Sequence, residues 1–297
     1  PWSRLADRGE SLDITTDMSR LGLEVILRSI FSSDLDRIIG REGANPFAFL
    51  AEDPTRDLQT AVRFRNLARV ILAVVAERRR SGERPLDFLS LLMDARDRKT
   101  GTFMTDNELT TEINTLIIAG HETSAGTLNW CWYLLARHPQ VEARLIAELA
   151  AQTPGDAFTF DQLMELEYAA CVLKETLRLY PPVWLFSRRA LKEDRLGDFV
   201  VPAGAHIFIA PYFLHRRPEL WPDPERFDPD RFDASRSPPV DRYAFIPFSA
   251  GARRCIGEYF SFVEMQMHLA LLAPRFALGF GPGEPAPAVE LEPAVNL

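Results

Sequence analysis

The sequence predicts one mainly α-helical domain over residues 1–297 with a minor β-hairpin or small sheet, and three observations predict it. Apolar residues recur at helical spacing through most of the first half. A stretch of about thirty residues, far above the usual helix length, runs from a capping box at Thr105 to His138-Pro139 without a proline. Only one region, near residues 198–210, combines turn chemistry with strand-like alternation. The 297 residues are 46% hydrophobic and 26% charged, enough for a substantial core, which excludes a disordered chain and a collagen-like fibre.

The elements follow in order. Helices are expected over Met18 to Ile30 and Leu58 to Val75, the second running into the charged residues Glu77 to Arg80, read as a solvated helix end. Pro85 and Asp87 open a short helix through Leu92, and a polar connector spans Asp94 to Gly101. Thr105 and Glu108 form the capping box of the long helix. Pro139 suits the first turn of the next helix, through Leu149, and Thr159 with Gln162 caps a helix expected over Leu163 to Leu179, stopped by Pro181-Pro182. Asp198 to Val201, the turn Pro202-Ala203-Gly204 and His206 to Ala210 read as a hairpin. Pro and Asp are too dense between Arg217 and Pro239 for helix or sheet, so that segment is an ordered meander anchored by Trp221, Phe227 and Phe232. A last helix is expected from Cys255 or Ile256 to Leu272, and the Pro-rich tail beyond Gly281 is peripheral.

The formal net charge of −8 argues against broad phosphate neutralisation and hence against nucleic acid as a partner. Three cysteines, Cys131, Cys171 and Cys255, are too few and too far apart for a disulfide framework or a closed zinc site, and they suit a reducing, cytoplasmic compartment. No apolar run reaches the roughly eighteen residues of a membrane span. Lysine occurs only at positions 99, 174 and 192 while arginine is abundant, a skew expected of a GC-rich bacterial genome.

The residues most able to carry chemistry stand before the last helix. Phe248, Gly251, Arg253, Cys255 and Gly257 place a cysteine near a helix N-terminus and beside Arg253 and Arg254, so helix dipole and cations favour a thiolate, a good soft metal ligand. The glycines let backbone amides and a flat cofactor approach closely. A lone cysteine here reads more simply as a buried structural residue, but the full five-position spacing recurs by chance on the order of once in ten thousand chains of this length.

These residues resemble the haem-binding loop of the cytochrome P450 family, in which the cysteine is the proximal iron ligand. Ala119, Gly120, Glu122, Thr123 and Ser124, in the long helix, are similar to that family's oxygen-activation segment. A mid-helix glycine costs about 1 kcal/mol relative to alanine and a threonine there can bond back to a carbonyl, so both are tolerated for a purpose; close helix packing through small residues is the plainer alternative. Glu175 and Arg178, one turn apart, precede Leu179-Tyr180-Pro181-Pro182 and resemble the family's ion-pair helix. The resemblance implies an arginine from the meander as third partner, Arg231 in Pro229-Asp230-Arg231-Phe232, with Arg226 competing. It also implies two cations for the porphyrin propionates, Arg253 and Arg188, with Arg189 an alternative to the latter, and cofactor contact at Ile256. Leu116, Val183, Trp184, Leu185 and Phe186 would line the substrate pocket, core packing being the competing reading. His121, His206 and His215 are expected in ordinary hydrogen-bonding roles.

The resemblance covers residues 105–275 densely and implies a P450-like helical fold lacking the N-terminal portion, with its sheet and haem-contacting helix, and the final hairpin. It implies a haem-thiolate monooxygenase: haem b on Cys255, dioxygen as co-substrate, Glu122 and Thr123 delivering protons, and a hydrophobic small molecule as substrate. No Gly-rich flavin or nicotinamide fingerprint occurs, so electrons from NAD(P)H would arrive through a ferredoxin- or flavoprotein-type partner received near Arg242, Arg253 and Arg254. A peroxygenase and a non-catalytic haem-binding protein are the alternatives.

Overall fold

The computed structural model describes residues 2–52, 58–152, 158–236 and 240–280, and the chain divides into two compact units, Pro1–Ala125 and Gly126–Leu297. The first unit is helical: α1 (Trp2–Arg8), α2 (Ile14–Phe31), α3 (Asp34–Glu42), α4 (Phe49–Glu52), α5 (Leu58–Ser81), α6 (Phe88–Asp94) and the first part of α7 (Asp106–Arg137). Asp13 caps α2 and Asp87 caps α6, each carboxylate accepting a backbone N–H that the first turn leaves unpaired. The expected box opens α7, where Glu108 N donates to Thr105 Oγ1 at 3.3 Å and Thr105 N to Glu108 Oε2 at 2.8 Å. Leu23, Ile26, Leu27 and Ile30 of α2 form a buried stripe, and α2 packs on α3, α4 and α6.

The charged end of α5 corrects an expectation. Arg78 is 1% exposed and donates to Asp34, to Asp87 through two nitrogens, to Ser90 and to the Phe31 carbonyl. Glu77 pairs with Arg41 at 2.7 Å and Arg37 at 3.6 Å, both on α3. A guanidinium can be buried because its fork of donors is satisfied by two carboxylates brought from α3 and the α6 cap, partners that no local spacing announces.

In the second unit the rest of α7 is followed by α8 (Pro139–Gln152), α9 (Phe160–Met164), α10 (Glu167–Leu179), four short strands, α11 (Pro211–Leu214) and α12 (Glu258–Leu272). The helix expected over 163–179 is two helices. Thr159 and Gln162 do form their capping box, but on a single short turn, and Glu148 of α8 then caps a second start by accepting from Tyr168 N at 2.6 Å and Ala169 N at 2.9 Å. Ten residues of α10, both polar and apolar, are buried between α8, α11 and α12 and the meander.

The expected hairpin is also corrected. β3 (Phe199–Val201) pairs antiparallel with β2 (Asp194–Leu196), whereas β4 (His206–Ile209) pairs with β1 (Phe186–Arg189), in the register Arg188 opposite Ile207. The Pro202-Gly204 turn therefore joins two sheets instead of closing one, with Gly204 at φ 83°. The meander contains only a 3-10 turn at Pro229–Phe232 among its described residues, and Trp221 and Phe227 are buried as its anchors. Pro239 at its expected end and the tail beyond Gly281 lie outside the described residues. No helix among the described residues is long and apolar enough to cross a membrane.

Candidate functional site

The loop before α12 is built on a short chain of hydrogen bonds. Ser249 N donates to the Ile246 carbonyl at 3.0 Å, Cys255 N to the Phe248 carbonyl at 2.9 Å and Arg254 N to the Gly251 carbonyl at 3.1 Å. Between these closures runs a 3-10 turn, Gly251–Arg253, entered with φ 63° at Ser249 and 72° at Gly251, left-handed values that a glycine adopts freely. Phe248 packs on Phe262 of α12, ring centroids 5.8 Å apart, which pins the loop to the helix it precedes. Gly257 is the N-cap, so α12 starts at Glu258 and not at the expected Cys255 or Ile256. The cysteine stands just outside the first turn.

Cys255 is the one exposed cysteine, and Ile256 beside it is 93% exposed. A β-carbon added at Gly257 would come to 3.8 Å from the Cys255 sulfur, so the glycine keeps that side of the sulfur open. Arg254 is turned to Glu258, with bonds of 2.6 and 2.8 Å, whereas Arg253 makes no salt bridge among the described residues. Of the two expected cations, Arg254 is thus engaged by Glu258. Arg188 Nη2 donates to Ser249 Oγ at 2.9 Å, which brings β1 to the cysteine loop, while Arg189 is exposed on the other face of the strand. Strand alternation separates the two neighbours.

Glu175, Arg178 and Arg231 come together. Arg178 is bidentate to Glu175 at 2.8 Å through Nε and Nη2, both side chains are fully buried, and Arg231 Nε lies 3.4 Å from Glu175 Oε1. Arg178 also donates to the carbonyls of His215, Pro224 and Arg226, and Asp228 N donates to Glu175. The competing Arg226 sends its exposed guanidinium toward Asp228 instead, 3.8 Å away. Burial pushes the Glu175 carboxyl upward, opposed by the bonds from Arg178. Removing one partner would strand the other at a cost of about 3–5 kcal/mol.

In the first unit, Ala119, Gly120, Glu122 and Thr123 lie on α7. Thr123 Oγ1 donates to the Ala119 carbonyl at 2.7 Å, the back-bond its position suggests. Gly120 has a packing cause as well: a β-carbon there would lie 2.8 Å from Ile26 Cδ1. His121 is buried, its Nε2 is 3.0 Å from Ser19 Oγ, and burial holds its pKa below the ordinary value. Leu116 on α7 is half-buried. In the second unit Val183, Trp184 and Phe186 are half-buried and Leu185 is 36% exposed; the Arg188 guanidinium lies 4.8 Å from the Phe186 ring.

Sequence reasoning missed Ser249, whose only signal is its place inside the loop. His215 has the ordinary hydrogen-bonding role expected of it: its ring accepts from Ile246 N at 3.0 Å. The donor set around Cys255 is a single soft sulfur, and no group of three or more His, Cys, Asp or Glu side chains able to hold a metal occurs among the described residues. Iron bound at Cys255 would have to bring its other ligands in a macrocycle, and an exposed sulfur with Gly257 beside it fits that kind of group.

Comparison with known proteins identifies the family of the chain. The family model described as Cytochrome P450 matches residues 2–295. Cyclooctat-9-en-7-ol 5-monooxygenase of Streptomyces melanosporofaciens is 37% identical over 291 residues, 93% of this chain and 63% of that protein. Pentalenene oxygenase of Streptomyces avermitilis is 30% identical over 92% of this chain and 64% of its own length. The crystal structure of the cytochrome P450DA heme domain superposes with a TM-score of 0.74 at 30% identity, covering 89% of this chain and 62% of that one. The chain thus spans less than two thirds of the length of these relatives, yet the match runs through both units, and the chain belongs to the cytochrome P450 family.

Proposed function

We propose that this chain carries the cysteine side of a haem-thiolate monooxygenase that acts on an apolar small molecule, with Cys255 as the iron ligand. One observation carries the reading: an exposed cysteine held by its own N–H on the Phe248 carbonyl and left uncovered by Gly257. When bound, haem would supply the binding of dioxygen and the insertion of one of its oxygen atoms into the substrate. Cys255 would present its sulfur to the iron from just before the first turn of α12. Arg253 and Arg188 would hold the propionate carboxylates, Arg188 pre-aimed by Ser249 and by its stacking near Phe186. The backbone near Phe248, Gly251, Ile256 and Gly257 would line the cofactor.

Thr123 would hold a proton-bearing group near the reacting oxygen. Its hydroxyl donates to the Ala119 carbonyl, while the Glu122 carboxyl would exchange protons with water. Glu175, Arg178 and Arg231 order the meander and have no part in the chemistry. Val183, Trp184, Leu185 and Phe186 would offer apolar surface to the substrate. Relatives are named for the oxygenation of cyclooctat-9-en-7-ol and of pentalenene, and two electrons would come from a ferredoxin- or flavoprotein-type carrier reduced by NAD(P)H.

The reading is tested by loading haem and recording the reduced, carbon monoxide-bound spectrum. The red-shifted Soret band of thiolate ligation is expected for the natural chain and should vanish in Cys255→Ala. A band that survives that substitution would overturn the assignment.

A further inference from the structure

We propose that His215 is the positioning residue that transmits the buried ion pair to the cysteine loop, acting as a neutral hydrogen-bond acceptor. The inference rests on the reading of Cys255 as iron ligand for its consequence, but its geometry is independent of any bound group. His215 is fully buried at the C-cap of α11 and serves at both ends. Its carbonyl accepts from Arg178 Nη1 at 2.8 Å, so the Glu175–Arg178 pair fixes its backbone. Its ring Nε2 accepts from Ile246 N at 3.0 Å, and the ring leans on Phe245 with centroids 5.3 Å apart.

Ile246 is where the cysteine loop begins. Its carbonyl accepts from Ser249 N, Ser249 Oγ accepts from Arg188, and the adjacent Phe248 carbonyl accepts from Cys255 N at 2.9 Å. An unbroken series of bonds therefore runs from Arg178 through His215 to Ile246, and from there to both the Arg188 anchor and the cysteine amide. An N–H can be received only by a ring nitrogen without a proton, so His215 must be the Nδ1–H tautomer. Burial and the charges of Arg178 and Arg216 favour the neutral ring, opposed by backbone groups of Arg178 and Leu177. Phenylalanine or leucine would fill the same space, but neither can accept the Ile246 amide; a buried N–H would be left unpaired at the root of the loop.

Two measurements on the full chain test this. Nitrogen-15 spectra of the histidine-labelled natural chain should show His215 Nε2 as an unprotonated, hydrogen-bonded nitrogen at neutral pH; an Nε2–H tautomer overturns the proposal without any variant having to fold. Hydrogen exchange should then show the amides of Ile246 and Cys255 exchanging roughly tenfold or more faster in His215→Phe, with the α10 amides unchanged. His215→Gln, whose side-chain oxygen can accept the same N–H, should restore most of that protection. Equal exchange in the Phe and Gln variants, or no change in either, would refute the positioning role. Loss of the thiolate spectrum in His215→Phe but not in His215→Gln would extend the result to the loaded protein. Should Cys255→Ala keep that spectrum, the ligand assignment fails while the exchange result still stands or falls alone.

Discussion

Gly120 faces Ile26 across the α2–α7 contact so closely that a methyl group at position 120 would lie 2.8 Å from Ile26 Cδ1 and 2.9 Å from Cγ1. Gly22 answers it from α2, where a β-carbon would lie 3.1 Å from the His121 carbonyl oxygen. Two glycines thus let two helices approach at the segment that carries Glu122 and Thr123. Gly120→Ala gains about 1 kcal/mol of helix propensity but meets a branched side chain that is 3% exposed, and overpacking of this kind costs about 1–3 kcal/mol. The substitution should destabilise the natural chain in urea unfolding and stabilise the Ile26→Ala variant. The same sign in both backgrounds would show that Ile26 is not the obstacle.

The Glu175–Arg178 pair gives a second prediction. Glu175→Gln leaves Arg178 with a neutral partner in a fully buried place, and Arg178→Lys cannot reproduce the two-nitrogen fork or the three carbonyl contacts. Each should lower unfolding free energy by roughly 3–5 kcal/mol. Arg226→Ala should have an effect within about 0.5 kcal/mol, because its side chain is exposed. Comparable losses at Arg226 and Arg178 would overturn the assignment of partners.

Acid should weaken the second unit through its buried histidines. His268, which accepts from Trp132 Nε1 at 2.8 Å, is pushed down to about 4 by burial, and His215 to about 3 by burial and the charge of Arg178. Unfolded, both titrate near 6.5, so the unfolded chain binds more protons between those values and stability rises with pH there. Their contribution is complete above about pH 6.5 and is lost as the pH falls toward 4 and then 3, each histidine adding a slope of about 1.4 kcal/mol per pH unit. Urea titrations across this window should show that slope, and His268→Gln should reduce it. Stability that is flat or that increases on acidification would contradict the burial argument.

The cysteines should separate by reactivity. Burial pushes the Cys131 thiol up to about 12 and the Cys171 thiol up to about 11, whereas Cys255 is exposed. One thiol per folded chain should react quickly with a disulfide reagent at mildly alkaline pH, three in urea, and the fast one should be absent in Cys255→Ser. Two or more fast thiols in the folded chain would show that the cores around α7 and α10 are open.

How much of this was legible in the sequence depends on how local the determining interactions are. The capping boxes at Thr105 and Thr159, the proline stops and the glycine-flanked cysteine are written in short spacings, and the family motif joins them into one expectation. The break between α9 and α10 is supplied by Glu148, about twenty positions away, and the burial of Arg78 by Asp34 and Asp87. Strand pairing went wrong for the same reason: β4 prefers a partner across an intervening strand pair to its neighbour in sequence. The links from Arg188 and His215 to the cysteine loop are likewise non-local, one through a serine hydroxyl and one through a backbone N–H. No periodicity encodes them.

The account turns on the bond between Cys255 and iron, and the resonance Raman spectrum of the haem-loaded chain reads that bond directly. With heavy-sulfur-labelled cysteine the iron–sulfur stretching band should move to lower frequency, and in Cys255→Ser it should disappear. A spectrum with no sulfur-sensitive band, or one in which the band persists after that substitution, would contradict the account.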